Sequence, residues 1–210
     1  MLKKEYELLI PFVQKPWEKF TFKDVKKITN KTSESYVYNG LKRFVKQGLL
    51  IEERAGNVVL YAPALQRMKT QVYFGIAAEH AAWNKKHIPF DDLEKISLLI
   101  PTGFYTWIIT GSYAKNKQKK ESDIDIVILV DDEADTKKVY AAMKFKCEMN
   151  IPPIHLYVFK KEEFLEMLLN KEANYGKAIA ANNLILYGAS EYFGIMSEAI
   201  KNGFNDKSIS

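Results

Sequence analysis

The chain has 210 residues, 47% of them apolar, enough to bury one sizeable core or two modest ones. It lacks the run of about 18 uncharged apolar residues that a membrane span needs. The start, Met1-Leu2-Lys3-Lys4-Glu5-Tyr6, lacks the basic-then-apolar layout of a signal peptide, so a cytoplasmic protein without a membrane partner is expected. The one cysteine, Cys147, excludes an internal disulfide, and no Cys or His cluster has zinc-site spacing. The net charge of +5 is uneven: residues 1–66 hold 12 Lys+Arg against 7 Asp+Glu, and the remainder holds 19 of each. A basic first third points to a polyanionic partner for that part, or to a plain lysine-rich surface.

Residues 3–14 place Tyr6, Leu8, Leu9, Phe12 and Val13 on one helical face, and Pro16 bars continuation. A short second helix is predicted over 23–28, then a turn whose Ser33 can cap a third helix over 34–47, with Gly48 able to end it. The period then changes to that of strands at 49–53 and 58–61, separated by a turn containing Gly56 and Asn57. Three helices and a terminal hairpin resemble the winged helix-turn-helix fold. That resemblance implies a third helix able to enter the major groove of duplex DNA, with Tyr36, Asn39, Lys42, Arg43 and Lys46 facing away from the core. Contact with a protein remains the alternative, since Glu52 and Glu53 beside the wing would repel phosphate.

A long helix predicted over 64–86 marks a boundary, either as a connector or by pairing with its copy in a homodimer, and carries His80 and His87 on its surface. A helix over 91–99 and a buried strand over 104–109 follow, the aromatics Tyr105 and Trp107 being read as core. The division reads as a winged helix-turn-helix domain at 1–66, a linker helix at 67–90, a second domain at 91–204 and a disordered tail at 205–210.

After that strand come Gly111-Ser112, a polar basic stretch with Lys115, Lys117, Lys119 and Lys120, and then Ser122-Asp123-Ile124-Asp125 opening a strand that runs to Val130. Residues two apart on a strand share a face, about 7 Å apart along the chain, so the two carboxylates aim at one place. They repel unless a cation lies between them, and a hard divalent ion such as Mg²⁺ fits. Gly111 lets backbone approach a phosphate, and Ser112 offers a hydroxyl and an amide at the start of a predicted helix. The chemistry is that of a site for a metal-bound nucleoside triphosphate.

Strand, Gly-Ser, then Asp-x-Asp on a second strand resembles the DNA polymerase β-like nucleotidyltransferase superfamily, with greatest similarity to minimal members of the kanamycin nucleotidyltransferase and HEPN-toxin-associated antitoxin types. The resemblance covers roughly 91–194, including Gly176-Lys177 and the 184–189 stretch. It implies an α+β domain with a small mixed sheet flanked by helices. It implies Asp123 and Asp125 as catalytic metal ligands, nucleotide contacts from Gly111, Ser112, Lys115 and Ser122, and transfer of NMP, with ATP as the expected donor, to a hydroxyl of a protein or small molecule. A HEPN-type protein is an implied partner. Two Mg²⁺ ions are expected for a fully active site and one for nucleotide binding alone.

The pattern departs in two places. The next strand, predicted over 153–159 after a helix over 133–149, contains no Asp or Glu, and His155 stands where a third carboxylate is expected. His155 could act as base or ligand, transfer could be slow with nucleotide still bound, a partner could supply the missing group, or the imidazole could simply lie on a polar sheet face. Asn116 stands where many relatives have glycine. The alternative function is a DNA-binding regulator or antitoxin-like protein with a weak or inactive transferase domain.

Overall fold

A computed structural model describes residues 4–209; residues 1–3, on which the reading of the chain start and the first predicted helical residue fell, and Ser210 lie outside the described residues. The predicted first helix is split into a 3₁₀ turn, Lys4–Leu9, and α1 (Ile10–Gln14). Pro11 lies in the first turn of α1 and has no N–H to continue the preceding register, so the winding restarts there. β1 (Phe20–Thr21) leads into α2 (Phe22–Ile28), where Thr21 and Asp24 form a reciprocal capping box. α3 (Glu34–Lys46) begins at Ser33, whose side chain accepts from the Tyr36 N–H. β2 (Leu50–Ala55) and β3 (Val58–Pro63) form the hairpin, and β1 adds antiparallel to the other edge of β3.

The helix between the halves is α4 (Met68–Trp83), shorter than predicted at both ends. It is packed within the chain rather than spanning free space. Phe74 is fully buried and meets Phe193 edge-on at 5.6 Å. Gly75 lets the backbone of Ser190 approach so closely that a Cβ there would lie 2.8 Å from its nitrogen. α5 (Phe90–Ser97) follows, then the second unit: β4 (Tyr105–Thr110), α6 (Gly111–Ala114), β5 (Ile124–Val130), α7 (Thr136–Glu148), β6 (Ile154–Lys160), α8 (Lys161–Leu169), α9 (Tyr175–Ala181), β7 (Leu184–Tyr187) and α10 (Ala189–Lys201). Its sheet has the order β6-β5-β4-β7, with β5 and β6 parallel and the other pairs antiparallel. It is therefore a small mixed sheet flanked by helices, and the chain as described is α+β with two small sheets.

Alternation along β5 divides its side chains between two cores. Ile124, Ile126, Ile128 and Val130 pack with Leu93 and Ile96 of α5 and Val139 and Met143 of α7. Val127 and Leu129 face the other way, toward Phe164 of α8, Ile179 of α9 and Met196 of α10, in a core continuous through Phe74 with Leu8, Phe12 and Leu41 of the first unit. Asp125 continues this second row beyond the core. Trp107 is 2% exposed and lies in the first core, in keeping with its reading as a packing residue. At the tail, where the sequence predicts disorder, Asp206–Ser208 forms a 3₁₀ turn and Ile209 packs on the core. Among the described residues, no helix is long and apolar enough to cross a membrane.

Candidate active site

The site lies where the end of β4 meets the start of β5. Thr110 and Asp125 are register partners in that antiparallel pair, and Asp125 is the register partner of His155 in the parallel pair with β6. This crossing brings Gly111, Asp125 and His155 together although they are far apart in sequence. Asp123 lies just before β5, which begins at Ile124, one residue later than a strand starting with both carboxylates would require.

The imidazole of His155 lies between the two acids. Its Nε2 is 3.2 Å from Asp123 Oδ2 and its Nδ1 is 3.7 Å from Asp125 Oδ1. His155 thus lies within reach of both carboxylates. Its side chain is also 60% exposed, so it can move aside when a ligand enters. Burial holds the Asp125 carboxyl above its ordinary value, with the His155 contact pulling it down and the Asp123 charge pushing it up. Two acids converge in a partly desolvated corner, and that arrangement favours a cation.

Gly111 is required there for a reason the sequence did not disclose. Its φ is +66°, and a Cβ built on it would lie 2.0 Å from Asp125 Oδ2. The group brought close to its bare backbone is therefore the carboxylate. Asn182, at the end of α9, locks the turn: its side-chain amide donates to the Gly111 carbonyl at 3.1 Å, and its own carbonyl accepts from Thr110 Oγ1 at 2.8 Å. His87 was expected on a helix surface. Because α4 ends at Trp83, His87 instead lies in the following loop with Nε2 2.9 Å from the Tyr113 carbonyl. Neither Asn182 nor His87 belonged to a motif, and no local signal marks them.

α6 is a single turn, so Ser112 sits at a helix start whose dipole is small. Lys115, Lys117, Lys119 and Lys120 are exposed along the adjoining loop and form no ion pairs among the described residues. Ser122 Oγ accepts from the Lys119 N–H at 2.8 Å, closing this loop rather than pointing freely at a ligand. Asn116 has a φ of +52°, the left-handed conformation that glycine favours and asparagine tolerates, so the departure from glycine leaves the backbone path available. Tyr175 of α9 packs against Tyr157 at 4.7 Å; its hydroxyl is held above its ordinary value by burial and then by the charge of Asp125.

Residues 105–185 match the family model for a nucleotidyltransferase domain. The nucleotidyltransferase match spans β4 to β7 and contains Gly111, Ser112, Asp123, Asp125 and His155; α4 and everything before it lie outside. Comparisons with curated proteins and with solved structures returned no match.

The residues present fit a single hard cation. Among the described residues, no three His, Cys, Asp or Glu side chains form a metal-holding group. Mg²⁺ commonly takes only one or two carboxylates and completes its shell with phosphate oxygens and water, which Asp123 and Asp125 permit. The residue opposite Asp125 on β6 is His155, so this register position adds an imidazole rather than a third carboxylate.

The other charged face of the sequence reading looks different. On α3, Lys42 pairs with Glu52 at 2.6 Å and Arg43 pairs with Glu5 at 2.9 Å. The Asn39 amide donates to Ser35 Oγ at 3.2 Å and Lys46 is exposed, but Tyr36, expected to face away from the core, packs against it, its hydroxyl buried with no partner among the described residues. Glu53 pairs with Lys19, so both acids beside the hairpin are matched by cations of the same unit.

Proposed function

We propose that this protein is a Mg²⁺-dependent nucleotidyltransferase that moves NMP, from ATP as the preferred donor, onto a hydroxyl group. The observation that carries this reading is the convergence of Asp123, Asp125 and His155 beside the bare backbone of Gly111. Asp123 and Asp125 would hold the metal, which when bound would neutralise triphosphate oxygens and favour departure of pyrophosphate. Ser112 and the lysines from Lys115 to Lys120 would receive the phosphates. His155, displaced from the carboxylates, would accept the proton of the acceptor hydroxyl through Nε2.

A second reading rests on the same imidazole. With His155 in the register position where another carboxylate would hold a second ion, nucleotide binding with slow transfer is the natural alternative, and the amino-terminal unit would then carry the output. The three helices and hairpin of that unit resemble a winged helix, and we propose duplex DNA as its ligand, with α3 presenting Asn39, Lys42, Arg43 and Lys46.

The deciding measurement is calorimetric titration of each nucleoside triphosphate, with and without Mg²⁺, followed by pyrophosphate release in the best case. Metal-dependent binding that disappears in Asp123→Asn/Asp125→Asn supports the site. Binding with pyrophosphate release supports transfer, and binding without release supports the second reading. Binding to none of the four, or binding indifferent to the double variant, overturns both.

A further inference from the structure

Lys177 on α9 is the one charged side chain that is buried among the described residues, only 4% exposed. Its backbone N–H is taken by Asn174 Oδ1 at 3.1 Å, but its ammonium has no hydrogen-bond or ion-pair partner among the described residues. Its stem is enclosed while its ammonium opens onto the cavity that it lines, and lysines are rarely enclosed to this degree. Residues two apart on a helix lie about 200° around its axis. Lys177 therefore faces away from the side on which Tyr175 meets Tyr157 and Asp125, and the place it occupies is separate from the nucleotide site.

That place is a cavity of about 300 Å³ between the ends of α8 and α10 and the tail. Lys171, Lys177 and Lys207 line it with Asn170, Asn202 and Asn205, and no carboxylate is among its described lining residues. Its apolar wall includes Phe204, whose ring meets Trp17 of the amino-terminal unit edge-on at 5.3 Å. Residues closing α8 and α10 line the cavity, and among the described residues none of them is hydrogen-bonded to the ammonium. Lys171 and Lys177, with amide groups and an apolar wall, match an anion of more than one charge. At the lower end of the roughly 300–1,000 Å³ typical of small-molecule sites, the volume exceeds a halide or a lone carboxylate.

We propose that this cavity binds a small phosphate-bearing ligand, of a size between inorganic phosphate and a nucleoside monophosphate, whose charge is met by Lys177 and Lys171. The test is thermal unfolding and calorimetry of the full chain with inorganic phosphate, pyrophosphate and AMP, at constant ionic strength and with EDTA. The proteins compared are the wild type, Lys177→Met, Lys171→Glu and Asp123→Asn/Asp125→Asn. The expected result is saturable stabilisation of the wild type and the aspartate variant by at least one of the three anions. Binding should be about tenfold weaker or worse in Lys171→Glu, the loss of a charge-assisted hydrogen bond, and lost in Lys177→Met. If that variant does not fold, Lys171→Glu on the exposed rim decides. No saturable response beyond matched chloride, a response unchanged by the lysine substitutions, or one lost in the aspartate variant overturns the proposal; the last would put the anion in the nucleotide site.

Discussion

The two charged regions that sequence reading singled out treat their charges in opposite ways. On the amino-terminal unit, Lys42, Arg43, Lys19 and Lys31 are each met by a carboxylate of the same unit. At the β5 end, two carboxylates share one imidazole and crowd the backbone of Gly111. Exposed pairs are worth little, about 0–1 kcal/mol each, and can open when a stronger partner arrives. Two converging acids in a partly desolvated corner are an arrangement that folding alone does not favour. Ligand chemistry therefore fits the second region, while in the first these four cations are paired within a unit that keeps 12 Lys+Arg against 7 Asp+Glu.

The largest expected effect tests whether these regions belong to one body. Phe74 of α4 is fully buried in the core that runs from Leu8 and Phe12 to Phe193 and Met196. Phe74→Ala should destabilise the protein by about 3–5 kcal/mol, lowering one cooperative unfolding transition. Two resolved transitions in a calorimetric melt, with only one shifted, would show that the units fold separately.

Next comes the acid pair itself. Asp123→Asn/Asp125→Asn should weaken Mg²⁺-dependent nucleotide binding by more than about 100-fold while leaving the fold intact, since relief of the repulsion offsets the lost His155 contacts. Gly111→Ala should follow, costing about 1–3 kcal/mol through strain at its positive φ. Its new Cβ must push Asp125 aside, so nucleotide affinity should fall with stability. Stability lost with affinity unchanged would break the link between the Gly111 turn and the carboxylate.

A control for burial without a paired acid is Glu79. Its carboxylate accepts from the Ala189 N–H at 2.8 Å, and burial raises its pKa above the ordinary value despite that bond and one from the Gly188 N–H. The folded protein then holds this proton more tightly than the unfolded chain. Its contribution is greatest below the unfolded value and falls as pH rises through the folded one. Glu79→Gln should flatten that part of the stability curve, measured by denaturant titration across the mildly acidic range, and an unchanged slope would mean that the carboxylate is better solvated than its position implies.

Much of this arrangement was legible because periodicity and turn chemistry are local. The apolar run to Val130 read as a strand, and Ser33 and Gly48 bounded α3 within a residue. Gly-Ser and Asp-x-Asp lay close enough in sequence to name the site. The residues missed act across long separations. Asn182 reaches back to Gly111, and nothing in the sequence around it distinguishes it from a surface asparagine. His155 could be placed on its strand, but only the parallel register opposite Asp125 puts its ring between the carboxylates. The packing of α4 was illegible for a related reason. Its apolar residues surround the helix, which reads equally as a connector or an oligomer seam, and only the fold shows one side of it taken up by α10.

The smallest expected effect concerns the paired face. Lys42 is 43% exposed at its side chain, and hydrogen bonding to Glu52 raises its pKa. A double-mutant cycle of Lys42→Ala and Glu52→Ala should give a coupling below about 1 kcal/mol, read by denaturant unfolding. DNA binding should separate the two substitutions. If α3 meets phosphate, Lys42→Ala weakens binding and reduces its salt dependence by about one ion. Glu52→Ala strengthens it, because the lysine no longer has to leave a carboxylate to reach the backbone. Substitutions that shift affinity in the same direction, or not at all, would mean that the paired charges hold the hairpin against α3 and that duplex DNA is not what this unit binds.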